Sequence, residues 1–519
     1  MRPYFNIAGP CIPGEHYLLP PERRLAHVRE HIEEGRYFVL QAGRQTGKTT
    51  SMQWLTEHLN ARGDHAAAWV DLQTAREQPD PGAAFRTLLG AFERALARDL
   101  PGVPRPSPGA VEAWLRDPAS ALLNYLQAVS AAAPRPVVLL LDEVDGLVGA
   151  PLVSFLTQLR EGYIARRGTP FPWSVALVGA CAVRDYALSR EERRAVAWLG
   201  TASPFNVASE TATLEPFTRD EVSELLGQHT EATGQAFDAA AVERVWALSQ
   251  GHPWLVNALA DQAARRDVRD RAVTVTAAHI DAAREALITE RRTHLDSLAA
   301  RLREPRVQRI LAPMLAGETT APDVLDDDFA YVVGLGLLRY QGGHYVVANP
   351  IYREVIPRAL THVRQAQLPQ ETAWFLREDG ALDMPGLFTA WQAFWRKDGH
   401  LAAEGFGYRE AGPHLMLMAF LQRVVNGGGT LEREYALGKG ALDLCVGWRG
   451  ERHAIEVKLR RDTDTEAEAL PQVTRYLDSL GLTEGWLVLF DLRQTVPWEQ
   501  RLFRRSVVRG GHQVHVVGC

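Results

Sequence analysis

Cysteine is scarce in this chain, no apolar run is long, and there is no excess of positive charge. The four cysteines (Cys11, Cys181, Cys445, Cys519) are scattered and form no Cys-x-x-Cys pair, which leaves no basis for a disulfide framework or a zinc site. No apolar segment reaches the about 18 residues that span a bilayer, and the N-terminus lacks the apolar stretch of a signal peptide. The expectation is a cytoplasmic protein with no membrane partner. A net charge of −6 excludes a globally basic nucleic-acid binder but not a local basic groove. The sixteen histidines show no metal-ligand spacing, and there are no repeats or low-complexity tracts. With 46% hydrophobic and 23% charged residues over 519 positions, the chain has room for three or four domains, each with its own core.

The most informative stretch is Gln41-Ala-Gly-Arg-Gln-Thr-Gly-Lys-Thr-Thr50. It follows the apolar run Tyr37-Phe-Val-Leu and opens the helical pattern Ser51-Met-Gln-Trp-Leu-Thr-Glu-His-Leu. Strand, glycine-containing turn and helix in that order make a phosphate cradle. Backbone N–H groups of the turn and the positive helix end face the β-phosphate. Gly43, Gln45, Thr46, Gly47, Lys48, Thr49 and Thr50 are the nucleotide-binding candidates, with Lys48 as a point charge and Thr49 as a magnesium ligand. Ala42 stands where the strict pattern has glycine. ATP and Mg²⁺ are the expected cofactors.

The second half of such a site lies about ninety residues on, in Pro136-Val-Val-Leu-Leu-Leu-Asp142-Glu143-Val-Asp145. A continuous apolar strand ending in acids suits a parallel strand buried on both faces. Asp142 would hold the magnesium shell, and Glu143 would orient and deprotonate the attacking water, which points to hydrolysis.

Strand-like runs at Phe38–Gln41, Ala67–Leu72, Val137–Leu141, Ser174–Gly179 and Ala212–Leu214 alternate with helical patterns. They predict an α/β fold with a parallel sheet over residues 1–215. The pattern is helical over 216–290, where Thr218 and Glu221 have capping-box spacing and a lid over the nucleotide is expected. Residues 295–362 read as a winged helix, with a wing around Gln341-Gly-Gly. DNA contact and internal regulation are equally compatible with it. A linker at Gln365–Gln370 leads to a separate α/β unit over 371–519.

The first 360 or so positions resemble a bacterial AAA-like ATPase family within the STAND/AAA+ ATPases. The resemblance rests on Tyr4-Phe-Asn-Ile-Ala-Gly-Pro, Gly43-Arg-Gln-Thr-Gly-Lys-Thr-Thr, Ser203-Pro-Phe-Asn, Gly251-His-Pro-Trp-Leu-Val-Asn257 and Ala348-Asn-Pro-Ile-Tyr-Arg-Glu-Val-Ile-Pro357. It implies that the Gly-x-Pro element opens a lid helix and that Pro253 contacts the nucleotide. Arg184 is a candidate γ-phosphate sensor, and Arg190, Arg193 or Arg194 an arginine finger, although a solvated charged helix explains that run more simply.

The tail carries a second chemistry. In His453-Ala-Ile-Glu456-Val-Lys458-Leu, Glu456 and Lys458 lie two apart and share one face of a strand. Asp443, in the preceding strand Ala441-Leu-Asp443-Leu-Cys-Val, points to the same spot. Together with Glu456 it suits a hard divalent cation, with Lys458 beside the nucleophile. A helix follows with Gln472 and Tyr476 at i, i+4. This arrangement, Asp, twelve residues, then Glu-x-Lys, resembles the PD-(D/E)XK nuclease superfamily in the form with a Gln-x-x-x-Tyr helix. Asn426-Gly-Gly-Gly and Arg433-Glu-Tyr-Ala-Leu-Gly438 further resemble nuclease tails attached to AAA-like ATPases. The resemblance makes Asp443, Glu456, Lys458 and Gln472 catalytic candidates and matches Glu410 to the acid of the first helix, with Glu434 as its substitute. The basic residues Arg501, Arg504, Arg505 and Arg509 suit phosphate contact or plain solubility.

Together these readings anticipate a P-loop sheet with a helical lid, a winged helix and a restriction-endonuclease-like C-terminal domain. The expected function is an ATP-regulated, Mg²⁺-dependent DNA endonuclease in bacterial defence or mobile-element processing. DNA is the expected partner, with homo-oligomerisation and a protein or phage-derived trigger beside it. The competing expectations are a signalling ATPase whose tail grips DNA without cutting, and a loader in DNA repair or replication.

Overall fold

The computed structural model describes residues 2–179, 210–289, 298, 300–302, 304–315, 326–356, 375–399, 411–425, 429–436, 441–460, 465–491, 493 and 496–519. Two compact units emerge, Met1–Arg291 with Asp323–Asn349, and Arg292–Pro322 with Pro350–Cys519.

The first unit is built on a five-stranded sheet. Its strands are β1 (Tyr37–Gln41), β2 (Ala66–Asp71), β3 (Val137–Asp142), β4 (Ser174–Gly179) and β5 (Glu210–Thr213). Their spatial order is β2-β3-β4-β1-β5 and all neighbours are parallel. The uniformly apolar β3 follows from burial on both faces. Val137, Leu139 and Leu141 point into one core, and Val138 and Leu140 into the other. The second of these cores is closed by α1 (Ala26–Glu33) and α2 (Lys48–Arg62), through Val28, Ile32, Met52, Leu55 and Leu59. The first is closed by α3 (Pro81–Asp99), α4 (Pro108–Trp114), α5 (Ala121–Ala132) and α6 (Gly149–Ala165), with Phe85, Phe92, Tyr125 and Phe155 at its centre. The Pro-rich stretch after α3 is a surface connection, and Ser107 caps α4 through the Ala110 N–H.

A helical segment follows, formed by α7 (Arg219–Thr233), α8 (Ala239–Ser249), α9 (Pro253–Asp261) and α10 (Ala277–Thr289). The capping box expected from the sequence opens α7. The Thr218 hydroxyl accepts from the Glu221 N–H, and the Glu221 carboxylate accepts from the Thr218 N–H. A widened turn, Gln262–Asp267, ends α9. In the same unit, Asp326 caps α11 (Asp327–Gly334), which leads into the antiparallel hairpin β6 (Leu338–Gln341) and β7 (His344–Val347). Its turn is Gly342-Gly343, both at positive φ, a conformation glycine adopts at no steric cost.

The second unit contains α12 (Met384–Phe394), α13 (Ala411–Val425) and a six-stranded sheet. The strands β8 (Gly429–Ala436), β9 (Ala441–Trp448) and β10 (Glu451–Leu459) form an antiparallel meander. Helix α14 (Thr465–Leu480) then crosses over to β11 (Glu484–Phe490), which runs parallel to β10. The edge is completed by β12 (Arg504–Arg509) and β13 (His512–Gly518), giving the order β12-β13-β11-β10-β9-β8. One face packs Phe388, Trp391, Trp395 and Leu417 against the sheet, and the other packs Ala469, Val473 and Leu477 of α14. Among the described residues, no helix is long and apolar enough to cross a membrane.

Phe155 and Ile164 lie on the same helix, but Phe155 is 0% exposed and Ile164 66%. Phe155→Ala should destabilise the first unit by about 3–5 kcal/mol through the cavity it leaves, whereas Ile164→Ala should stay within about 0.5 kcal/mol. Denaturant midpoints of the two variants check this.

Candidate nucleotide site and C-terminal carboxylate site

The loop between β1 and α2 has the shape a phosphate cradle needs. Gln45 takes a positive φ of 56° and Gly47 one of 87°, so the chain turns sharply before Lys48 starts the helix. Lys48 Nζ donates to Ala42 O at 3.0 Å and Gly43 O at 2.9 Å, and Thr46 Oγ1 donates to Gly43 O at 2.8 Å. These contacts fold the lysine back along the loop. Thr50 Oγ1 accepts from the Cys11 N–H at 2.9 Å, which ties the N-terminal segment to the first turn of α2.

Strand order explains the second half of the site. One strand, β4, separates β1 from β3, so Asp142 at the end of β3 comes within reach of the helix start. Asp142 Oδ2 accepts from Thr49 Oγ1 at 3.1 Å and from Trp69 Nε1 at 3.4 Å. Its Oδ1 accepts from the Glu143 N–H at 3.0 Å, with Glu143 in the left-handed region at φ 58°. Asp142 is 2% exposed, and burial raises its pKa against the opposing pull of Lys48 and its hydrogen bonds. A hydroxyl and a buried carboxylate in contact are a fitting donor pair for magnesium, which prefers oxygen ligands.

Three further elements reach the loop from outside. The Arg24 guanidinium donates through Nη2 to Thr46 O at 3.1 Å and through Nε to Glu215 O at 2.7 Å, and lies 5.0 Å over the Phe217 ring. Burial lowers its pKa to about 10. From the helical segment, His252 Nε2 lies 3.2 Å from Arg44 O. From the α11–β6 turn, a Cβ on Gly43 would stand 3.2 Å from both Gly336 Cα and Leu335 O, so the two glycines meet backbone to backbone. Pro253 is the first residue of α9 and is buried. Gly251 precedes it at φ 74°, where a Cβ would collide with the Phe217 carbonyl.

In the second unit Asp443, Glu456 and Lys458 come together on neighbouring strands. Asp443 Oδ2 accepts from the Val457 N–H at 2.8 Å, and Glu456 Oε2 lies 3.4 Å from the Asp443 N–H. Lys458 Nζ is 2.7 Å from Glu456 Oε1 and 4.0 Å from Asp443 Oδ2. Glu456 is fully buried, and burial together with the neighbouring Asp443 holds its carboxyl above the usual range. Burial opposes the Lys458 ammonium, but Asp443 and Glu456 outweigh it and raise its pKa. Gln472 Nε2 donates to Tyr476 Oη at 2.8 Å on α14. No group of three metal-ligating side chains occurs among the described residues.

Glu410, Arg184, Arg190, Arg193, Arg194 and the Ser203 motif lie outside the described residues, and Glu434 falls on β8. In the basic tail, Arg505 pairs with Glu466. Arg501 donates to Val496 O at 2.6 Å, and Arg504 to Pro385 O at 3.3 Å. Arg24, Trp69 and His252 were not singled out from the sequence. The Gly-His-Pro turn marked the place of His252, while nothing local distinguishes Arg24 from Arg23.

A family model for the AAA-like domain matches residues 14–357. The chain belongs to this AAA-like family. It is accordingly a P-loop ATPase of the AAA-like type, and nucleotide with magnesium is what its loop implies. Solved structures similar to it include a Walker-type ATPase of Pyrococcus abyssi, at 15% identity over 68% of this chain and 99% of that one, TM-score 0.47. The RuvB Holliday junction branch migration motor of Thermotoga maritima matches at 15% identity over 64% and 93%, TM-score 0.31. Cdc6p of Pyrobaculum aerophilum matches at 15% over 67% and 96%, TM-score 0.35. No curated protein matches the chain.

In this AAA-like ATPase, Lys48→Ala removes the charge that sits on the loop. A lost buried charge contact is worth about 2–5 kcal/mol, so nucleotide affinity should fall roughly 30-fold or more. Titration of the full chain with a fluorescent ADP analogue measures it.

Proposed function

We propose that this protein couples ATP hydrolysis to metal-dependent cutting of DNA. The division proposed is an ATPase core over 1–215, a helical lid over 216–290, a winged helix over 295–362 and a PD-(D/E)XK nuclease over 371–519. The compact units cut across the third of these, with 323–349 in the first unit and its flanking residues in the second. The observation that carries the reading is the meeting of Asp443, Glu456 and Lys458 across β9 and β10, with Glu456 fully buried. A buried carboxylate inside an apolar sheet is costly unless a cation is near, and such sites are where function resides. The meander, crossover helix and parallel strand around it support the same reading.

On the ATPase side, Lys48 and the loop N–H groups bind the phosphates, Thr49 and Asp142 would hold Mg²⁺, and Glu143 takes the proton of the attacking water. Pro253 would line the nucleotide. On the nuclease side, Asp443 and Glu456 would hold Mg²⁺, which bound there supplies charge neutralisation and a more acidic water. Lys458 steadies charge at the scissile phosphate, the family resemblance adds Gln472 and Glu410 as supporting catalytic residues, and the substrate is DNA. A STAND-type switch in defence, with homo-oligomerisation and a protein or phage-derived trigger, fits this architecture.

Glu143→Gln should still bind ATP yet hydrolyse it on the order of 10²–10⁴-fold more slowly, the cost of a missing general base. Undiminished turnover removes Glu143 from that role. For the tail, plasmid digestion with Mg²⁺, with and without ATP, should show cutting by the wild type and none by Asp443→Ala or Glu456→Ala. Lys458→Ala should cut slowly, and all three should keep ATPase activity. Absence of cutting by the wild type in every condition would replace the nuclease with a signalling ATPase whose tail only grips DNA.

A further inference from the structure

His252 sits between the helical segment and the nucleotide loop and contacts both. Its backbone is fixed by Gly251, whose positive φ and tight approach to Phe217 exclude any side chain there, and by the 2.8 Å bond from the Phe217 N–H to Gly251 O. The imidazole then faces two groups of opposite demand. Its Nδ1 accepts at 3.4 Å from the Leu255 N–H, a donor of the first turn of α9 that has no partner within the helix. Its Nε2 is 3.2 Å from Arg44 O, a carbonyl that only accepts. One form of the ring satisfies both, the neutral tautomer with its proton on Nε2.

We propose that His252 is a positioning residue of the ATPase, a strut that caps the lid helix with one nitrogen and holds the nucleotide loop by the Arg44 carbonyl with the other. The strut sets loop geometry and lid placement together, and nucleotide binding draws on both. The ring is half-buried, and its loss of water lowers its pKa to about 4, with Arg24 and Lys48 acting in the same direction and the bond to the Arg44 carbonyl opposing them, which agrees with the neutral tautomer the geometry requires. The same segment is anchored further along, where Trp254 Nε1 donates to Ile7 O at 2.9 Å.

Two substitutions separate the roles. Asparagine is a good helix N-cap and keeps the bond to Leu255, but its side chain is too short to reach Arg44 O; alanine loses both. In the full chain, H252N and H252A should both bind a fluorescent ADP analogue about three- to ten-fold more weakly, the scale of one hydrogen bond. Hydrogen–deuterium exchange over 42–49 should quicken in both variants, and over 253–261 in H252A alone. An H252N protein with wild-type affinity and wild-type exchange over 42–49 would overturn the proposal and leave His252 a helix cap. Should a variant not fold, the wild type still decides. ADP should protect 42–49 and 250–256 together, and protection confined to 42–49 overturns the strut.

Discussion

A loop that turns its N–H groups toward a phosphate must turn its carbonyls away from it, and those carbonyls then need donors of their own. The first unit is arranged around this constraint. Lys48 takes the carbonyls of Ala42 and Gly43, Arg24 takes that of Thr46, and His252 approaches that of Arg44. Each donor comes from a different part of the chain. The N-terminal turn, α2 and the start of α9 are therefore held to one small piece of backbone, and a change in that backbone is felt by all three. Gly43 adds a steric term, because a Cβ on it would stand 3.2 Å from Gly336 Cα and one on Gly336 would stand 3.3 Å from Gly43 Cα, so a side chain on either partner is crowded.

The second unit meets a different constraint. Its sheet is covered on both faces, so the middle of β10 and nearly all of β11 are buried, and a carboxylate placed there loses its water. Glu456 accepts this position with Lys458 as its counter-charge. An apolar residue of similar volume would pack there at less cost. Stability alone gives no reason for a glutamate, and the neighbouring Asp443 makes it worse by like-charge repulsion.

Much of this was legible in the sequence, and for local reasons. The Thr218 capping box, the glycine turn before Lys48, the i, i+4 pair Gln472 and Tyr476, and the shared face of Glu456 and Lys458 all depend on spacing within a few residues. The apolar run of β3 announced a strand buried on both faces. What spacing could not give was the order of the strands, and hence that Trp69 of β2 would reach Asp142 of β3. Arg24 was hidden for the same reason. Its partners, Thr46 and Glu215, lie far apart along the chain, and an arginine next to another arginine looks like solvated surface. His252 was visible only as part of a turn, because its role depends on a carbonyl about two hundred residues away.

The division of the chain bears on how nucleotide could influence the tail. Residues 323–349 belong with the first unit, yet the segments on either side, 292–322 and 350–519, belong with the second. The α11–β6 turn that touches Gly43 is therefore covalently continuous, in both directions, with the unit that holds Asp443 and Glu456. Under the proposed function this connection is the economical route for regulation. A nucleotide that changes the backbone at Gly43 changes the ground on which Gly336 rests, and 323–349 is joined through the chain to both of its flanking segments. Such coupling requires no long chain of side-chain contacts. It requires only that the loop have two geometries and that the hairpin module prefer one of them.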